Sequence, residues 1–286
     1  CGGGHGDYAG NELYAFGPLE SSTPTWSRII DPTVPGPAEV SRSSGYPVSR
    51  HTYDTLVYLP TTNQMLCIGA PGYYSAGNTF NVGDIFDFDT NPGTTNPWST
   101  ADTGFPAYNG SATINLVSAY DTATGKAWGL GKGNANAIGS YTAASGTWAS
   151  WSIDNPAASG SNKAAIDPGR SIMVCTQSSG GLIAVDLRTT PAIYTPSTTG
   201  TGPTTNCSME WDETGGRFVA WATTGKTLYF LTPSASPYSG GTAWTWTSTT
   251  PSGGATPASG VANGTFGRFR MIDAASFRGV LLMSTA

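Results

Sequence analysis

Two histidines, His5 and His51, are the only imidazoles in 286 residues. Acid–base chemistry near neutral pH therefore has few candidates. His5 stands in the run Cys1-Gly2-Gly3-Gly4-His5-Gly6-Asp7-Tyr8. With Asp7 and Tyr8 it forms either a catalytic or ligand-binding cluster, or a set of side chains bracing a glycine-rich turn. His51 follows Arg50, a pair that suits either a general base beside an anion partner or the polar start of a strand. A catalytic zinc or copper centre needs three or four converging ligands. Two histidines do not supply them, so neither metal nor cofactor is expected. Asp84, Asp87 and Asp89 lack the glycine-centred loop of an EF-hand. No paired carboxylates are placed for glycoside hydrolysis. Tyr73 and Tyr74 offer a different chemistry, the stacking of aromatic rings on sugar faces, with Asn and Asp side chains reading hydroxyls.

These residues must be held by repeating elements. Five segments share one pattern: an apolar strand, an Asp or Pro, a short polar turn, then a second apolar strand. Their anchors are Pro60, Asp121, Asp167, Asp212 and Asp273. In such hairpins the Asp accepts backbone N–H groups of the turn and a glycine supplies positive φ, as in Asp167-Pro168-Gly169-Arg170 and Gly215-Gly216. A third apolar strand follows most hairpins, as in Leu13–Phe16, Ile85–Phe88, Leu182–Val185 and Leu228–Leu231. A fourth carries a tryptophan: Trp26, Trp98, Trp148 with Trp151, or Trp244 with Trp246, and Tyr194 in the remaining repeat. Four antiparallel strands recurring every ~45 residues predict the blades of a β-propeller. The outer-strand tryptophans are then structural, filling the wedge between blades.

Composition agrees. Charged residues make up 11% of the chain, against about 25% in a typical soluble domain. The net charge is −5, and with only four lysines there is no electrostatic footprint for nucleic acid. No apolar run approaches the roughly 18 residues of a membrane span. Low Lys and Glu with abundant Ser, Thr, Asn and Gly suits an extracellular or particle-associated β protein. Cys1, Cys67, Cys175 and Cys207 show no metal-type spacing. They form either buried thiols or two disulfides, for which three connectivities exist. Cys1 is either a lipidated first residue or, better, the end of a strand inside a domain.

The run Gly2-Gly3-Gly4-His5-Gly6-Asp7-Tyr8-Ala9-Gly10-Asn11-Glu12, the strand Leu13-Tyr14-Ala15-Phe16 and Thr25-Trp26 resemble a kelch-type blade. Phe86-Asp87-Phe88-Asp89 with Trp98 repeats the pattern. The chain is similar to the kelch and galactose-oxidase-like propeller group over nearly its whole length. The resemblance implies an all-β propeller of four-stranded antiparallel blades, with six blades favoured and five possible, and with both ends falling within a blade. Its single domain, 1–286, divides into blade segments near 1–30, 50–101, 112–153, 162–196, 206–248 and 266–286. The Tyr–Cys pair and two histidines of copper-radical oxidases have no motif match here. The resemblance is poor for function, since such propellers serve as enzymes, glycan binders and protein adaptors.

In a propeller the long loops gather on one face. They are 31–49, 102–110, 154–162, 197–206 and 249–265 between blades, and 5–10 and 71–82 within them. The opposite face has only tight turns. A ligand site is expected on the long-loop face near the axis. Residues starting the inner strands line that opening: Arg50, His51, Asn109, Asn162, Lys163, Asn206 and Arg268. His5, Asp7, Tyr8, Tyr73 and Tyr74 lean in from loops. The expected function is a non-catalytic binding module for a glycan or a protein surface. The competing readings are a lyase-like polysaccharide enzyme using His, Tyr and Arg near the axis, and a structural or adhesin subunit contacting neighbouring chains in an assembly.

Overall fold

A computed structural model describes residues 12–32, 47, 54–68, 82–91, 94–102, 117–131, 137–153, 161–177, 180–204, 207–259, 268–274 and 277–282. Within them the architecture is all-β, without an α-helix. Among the described residues no helix is long and apolar enough to cross a membrane. Strands β1 (Leu13–Gly17) and β2 (Thr25–Ile30) pair antiparallel. Three four-stranded antiparallel sheets follow, each in sequential strand order. The first holds β3 (Leu56–Leu59), β4 (Gln64–Cys67), β5 (Val82–Asp87) and β6 (Trp98–Asp102). The second holds β7 (Val117–Asp121), β8 (Lys126–Leu130), β9 (Ala137–Thr142) and β10 (Thr147–Ser152). The third holds β11 (Ser161–Asp167), β12 (Ile172–Gln177), β13 (Leu182–Asp186) and β14 (Ala192–Tyr194).

A fifth sheet gains an extra strand. β15 (Thr198–Thr199) runs parallel to β19 (Trp244–Thr249), outside β16 (Cys207–Asp212), β17 (Arg217–Ala222) and β18 (Leu228–Thr232). The hairpin of β20 (Phe269–Ala274) and β21 (Phe277–Leu282) comes last. Repeated four-stranded sheets in this order are consistent with a propeller. No described strand joins the β20–β21 hairpin to the β1–β2 sheet.

Each hairpin turn is built locally. Asp121 accepts the N–H of Ala123 (3.0 Å) and the Thr124 hydroxyl (2.6 Å). Asp167 accepts the Arg170 N–H (3.1 Å) and its guanidinium (2.7 Å). Asp212 accepts the Gly215 N–H at 2.9 Å. The last residue of each of these turns takes a left-handed φ: Gly125 at 68°, Ser171 at 52° and Gly216 at 60°. Asn63 does so in the first hairpin, at 48°. Asn tolerates this region better than most residues. In the third hairpin Ser171, rather than the expected Gly169, carries the positive φ.

Burial works against ionisation of Asp212, but the Gly215 N–H, Arg278 and Arg217 outweigh it and hold its carboxyl below the ordinary Asp value. A depressed value contributes stability that is present above the unfolded-state pKa and lost as pH falls through the folded one. Asp212→Asn should therefore cost about 1–2 kcal/mol at pH 7. In urea titrations at stepped pH, the gap to the parent should close below about pH 4.

The sheets pack face to face through apolar clusters, one per wedge. Leu66, Ile85 and Ala101 of the first four-stranded sheet meet Ala127, Ala137 and Tyr141 of the second. Trp128 and Ile138 meet Ile166, Met173 and Ile183. Val174, Ala184 and Tyr194 meet Met209, Phe218 and Trp244. Leu13 and Ile30 of the first sheet cover Met65, Phe86 and Trp98. At the other end Phe269, Val280 and Leu282 cover Val219 and Trp221.

Outer-strand aromatics fill these wedges. Trp148 donates its indole N–H to the Ala101 carbonyl across the wedge at 3.0 Å. Trp151, on the opposite face of the same strand, stacks on Trp128 with centroids 5.4 Å apart. Trp26 departs from the expectation. It is 59% exposed, touching the Phe16 ring at 5.0 Å.

The extra strand β15 lies in a segment expected to be a long open loop. Its approach to β19 depends on glycine. Gly200 has φ +77°, and a Cβ there would sit 2.2 Å from the Trp246 carbonyl oxygen. Gly200→Ala should cost at least ~2 kcal/mol, combining left-handed strain with overpacking. A matching fall in urea midpoint without a change in slope would show it.

Candidate functional site

The inner strands β3, β7, β11, β16 and β20 lie side by side in that order. They border an open cavity of about 700 Å³, also lined by Leu13 and Tyr14. Pockets for drug-sized ligands span roughly 300–1,000 Å³. Its walls are apolar, with Leu56, Val57, Ala164, Ala165 and Ile166.

Its floor is a row of alternating charges. Lys163 Nζ lies 2.6 Å from Asp54 Oδ1 and 3.2 Å from Glu210 Oε1. Glu210 Oε1 also accepts Arg270 Nη1 at 2.8 Å. The row links the segment before β3 to β11, β16 and β20. Lysine is almost never fully buried unless paired, and both Lys163 and Asp54 are only 2% exposed. Asp54 is held further by the Ala164 N–H at 3.0 Å, and its carbonyl accepts the Ser118 hydroxyl. Burial pushes the Asp54 carboxyl upward, against the pull of Lys163, Arg270 and the Ala164 N–H, and burial prevails. The Arg270 guanidinium is held up by Glu210 and then by Asp54.

The mouth lies at the hairpin-turn end of the strands and is rimmed by aromatics. Tyr14 is 50%, Tyr58 53% and Phe88 37% exposed. Tyr120 and Trp211 complete the rim and are half-buried. Most of these rings are tethered. Tyr58 donates its hydroxyl to Asn63 Oδ1 at 2.9 Å and meets Phe88 edge-on at 6.0 Å. Trp211 donates its indole N–H to Glu213 Oε2 at 2.7 Å and packs edge-on against Phe218 at 4.8 Å. The Tyr120 and Thr61 hydroxyls share a 3.4 Å contact. Rings fixed in this way lose little freedom when a ligand stacks on them.

Of the residues expected from sequence to form a site, Lys163 lines this cavity from its floor. Asn162 precedes it on β11. Arg268 lies just before β20 and is half-buried, while Arg270, two residues on, takes the cavity position. His5, Asp7, Tyr8, Arg50, His51, Tyr73, Tyr74, Asn109 and Asn206 lie outside the described residues. Sequence reasoning missed Asp54, Glu210, Arg270 and the whole rim. A signal was present: Lys163, Glu210 and Arg270 are charged residues within inner strands, apart from the Asp167, Asp212 and Asp273 that anchor the turns.

Cys67, Cys175 and Cys207 are buried thiols outside any disulfide. Burial raises Cys175 well above the ordinary thiol range and pushes Cys207 up to about 12. Such un-ionised thiols are poor nucleophiles and metal ligands. Among the described residues no group of three or more His, Cys, Asp or Glu could hold a metal ion.

No family of known proteins matches the chain. No curated protein matches it either. Solved structures do. An auxiliary nutrient-binding protein of Bacteroides ovatus is 14% identical, with a TM-score of 0.43 over 66% of this chain and 40% of that one. The major allergen Mala s 1 of Malassezia sympodialis is 11% identical, with a TM-score of 0.43 over 66% and 60%. A fungal alcohol oxidase of the AA5 family, in complex with copper, is 14% identical, with a TM-score of 0.43 over 74% and 43%. The chain spans between 40% and 60% of the length of these three proteins.

Proposed function

We propose that the chain is a kelch-type β-propeller serving as an extracellular, non-catalytic binding module for neutral glycans, which it takes into its central cavity. One observation carries this reading: tethered aromatic rings surround a cavity whose floor holds a carboxylate and a guanidinium. A sugar ring has apolar C–H faces that stack on aromatics and hydroxyls that need strong donors and acceptors. Both are offered within one cavity. The reading moves the ligand from the long-loop face to the hairpin-turn mouth.

A defined glycan array tests it. The protein should give signal with neutral oligosaccharides, and Trp211→Ala and Tyr58→Ala should each weaken binding at least ~10-fold, the usual effect of removing an aromatic anchor. Loss on Tyr73→Ala or Tyr74→Ala, with the rim variants unaffected, would return the site to the long-loop face. Turnover of a bound polysaccharide that His51→Ala abolishes would make the protein an enzyme.

A further inference from the structure

The shape of the cavity bears on which part of a glycan it accepts. Its walls are strands that run from floor to mouth: successive residues of β3, β7 and β11 line it. A chain threading the cavity would need a second opening at the floor. There Asp54 and Lys163 are each only 2% exposed, which leaves no passage for a chain beside them. The other two members of the charged row remain reachable. The Arg270 side chain is 38% and the Glu210 side chain 19% exposed.

We infer that the cavity takes a glycan end-on, with the terminal sugar unit seated against Arg270 and Glu210; this rests on the glycan reading above. A terminal unit carries a hydroxyl that an internal unit has given up to its glycosidic bond. That hydroxyl can donate to the Glu210 carboxylate and accept from the Arg270 guanidinium. A buried site built to bond a hydroxyl discriminates strongly against a ligand that lacks it, because its own polar groups are then left unpaired. The apolar walls hold the flanking ring, and the aromatic rim stacks on the next one as the chain leaves the mouth.

The unaltered protein tests this by calorimetry with cello-, xylo-, malto- and chito-oligosaccharides of two to six units. Each is used native, with its non-reducing end capped as a 4-O-methyl ether, and with its reducing end converted to the alditol. An array hit outside these series goes through the same comparison. In the series that binds, affinity should change less than ~3-fold from three units to six. It should fall at least ~100-fold when one of the two ends is modified. Affinity that climbs with every added unit and ignores both modifications would overturn end-on binding while leaving the glycan reading intact. Failure of every native oligosaccharide, here and on the array, would overturn both.

Arg270→Lys keeps the charge beside Glu210 but loses the planar fork. It should weaken the native oligosaccharide about tenfold with Tm within a few degrees of the parent. Unchanged affinity would remove Arg270 from the contact and overturn the assignment of the floor. The length and capping comparison needs no variant and stands whatever that substitution does to folding.

Discussion

Replacing Lys163 with methionine should destabilise the protein by about 3–5 kcal/mol, the usual result of removing one partner of a buried ion pair. That corresponds to a Tm lower by roughly 5–8 °C in a chain of this size. The cause is the charge left behind. Asp54 is 2% exposed and, among the described residues, would keep the Ala164 N–H at 3.0 Å, a long 3.5 Å contact from the Ser118 N–H and the more distant charge of Arg270. Glu210 would retain Arg270.

The pH dependence follows from the same burial. The Asp54 carboxyl is already raised, and loss of Lys163 removes the strongest influence opposing that rise. A raised folded-state value means stability that is present below the unfolded pKa and lost as pH climbs through the folded one. The deficit of Lys163→Met should therefore grow from about pH 4 upward and shrink below it. The double variant Asp54→Asn/Lys163→Met should recover at least half of the loss at pH 7. Urea denaturation of the four proteins of this cycle measures the coupling directly. A single variant within 1 kcal/mol of the parent at pH 7 would show that the row is not formed in solution.

The second large effect concerns the tryptophans. Trp244→Ala should cost about 3–5 kcal/mol, the range for deleting a large aromatic from a core. Trp244 is 1% exposed and lies parallel to Phe218 with centroids 6.4 Å apart. It donates to the Pro237 carbonyl at 3.2 Å, the same oxygen that accepts the Tyr194 hydroxyl at 2.8 Å. Its removal opens the wedge between the β11–β14 and β16–β19 sheets. Trp26→Ala, also on an outer strand, should stay within about 0.5 kcal/mol, as for most surface substitutions. Two residues with the same place in their repeats would thus differ by several kcal/mol. The difference arises because one is covered by a neighbouring sheet and the other is not. Thermal melts of the two variants side by side measure it, and equal losses would mean that Trp26 is also buried in solution.

These contrasts show what could be read from the chain. The hairpins anchored at Asp121, Asp167 and Asp212 were legible because their hydrogen bonds join residues two or three apart. The third strands were legible from period-two alternation, and Trp98, Trp148, Trp151 and Trp244 from their place after it. Ser171 was misjudged because Gly169 draws attention in any turn, yet position in the turn, not residue type, decides which φ becomes positive. β15 was missed because two threonines carry no pattern. Their pairing depends on Gly200 and Gly202 letting the chain lie against Trp246.

The site was less legible than the fold. Lys163 was singled out as a strand-start residue near the axis, but its partners were not. Asp54 precedes it by 109 residues and Glu210 follows it by 47. Nothing local marks Asp54 as more than a polar residue before a strand, and a charge at Glu210 within β16 does not say which partner it meets.

By itself, the sequence determined the all-β class, the hairpin turns and the recurrence of wedge-filling aromatics, because each depends on residues close together along the chain. Tertiary structure decided which charges meet at the floor, which tyrosines and tryptophans stay uncovered, and at which end the cavity opens. Those outcomes depend on how successive sheets stand around a common centre. Stacking brings one residue from each inner strand to the same level, and no spacing within a single repeat encodes that level.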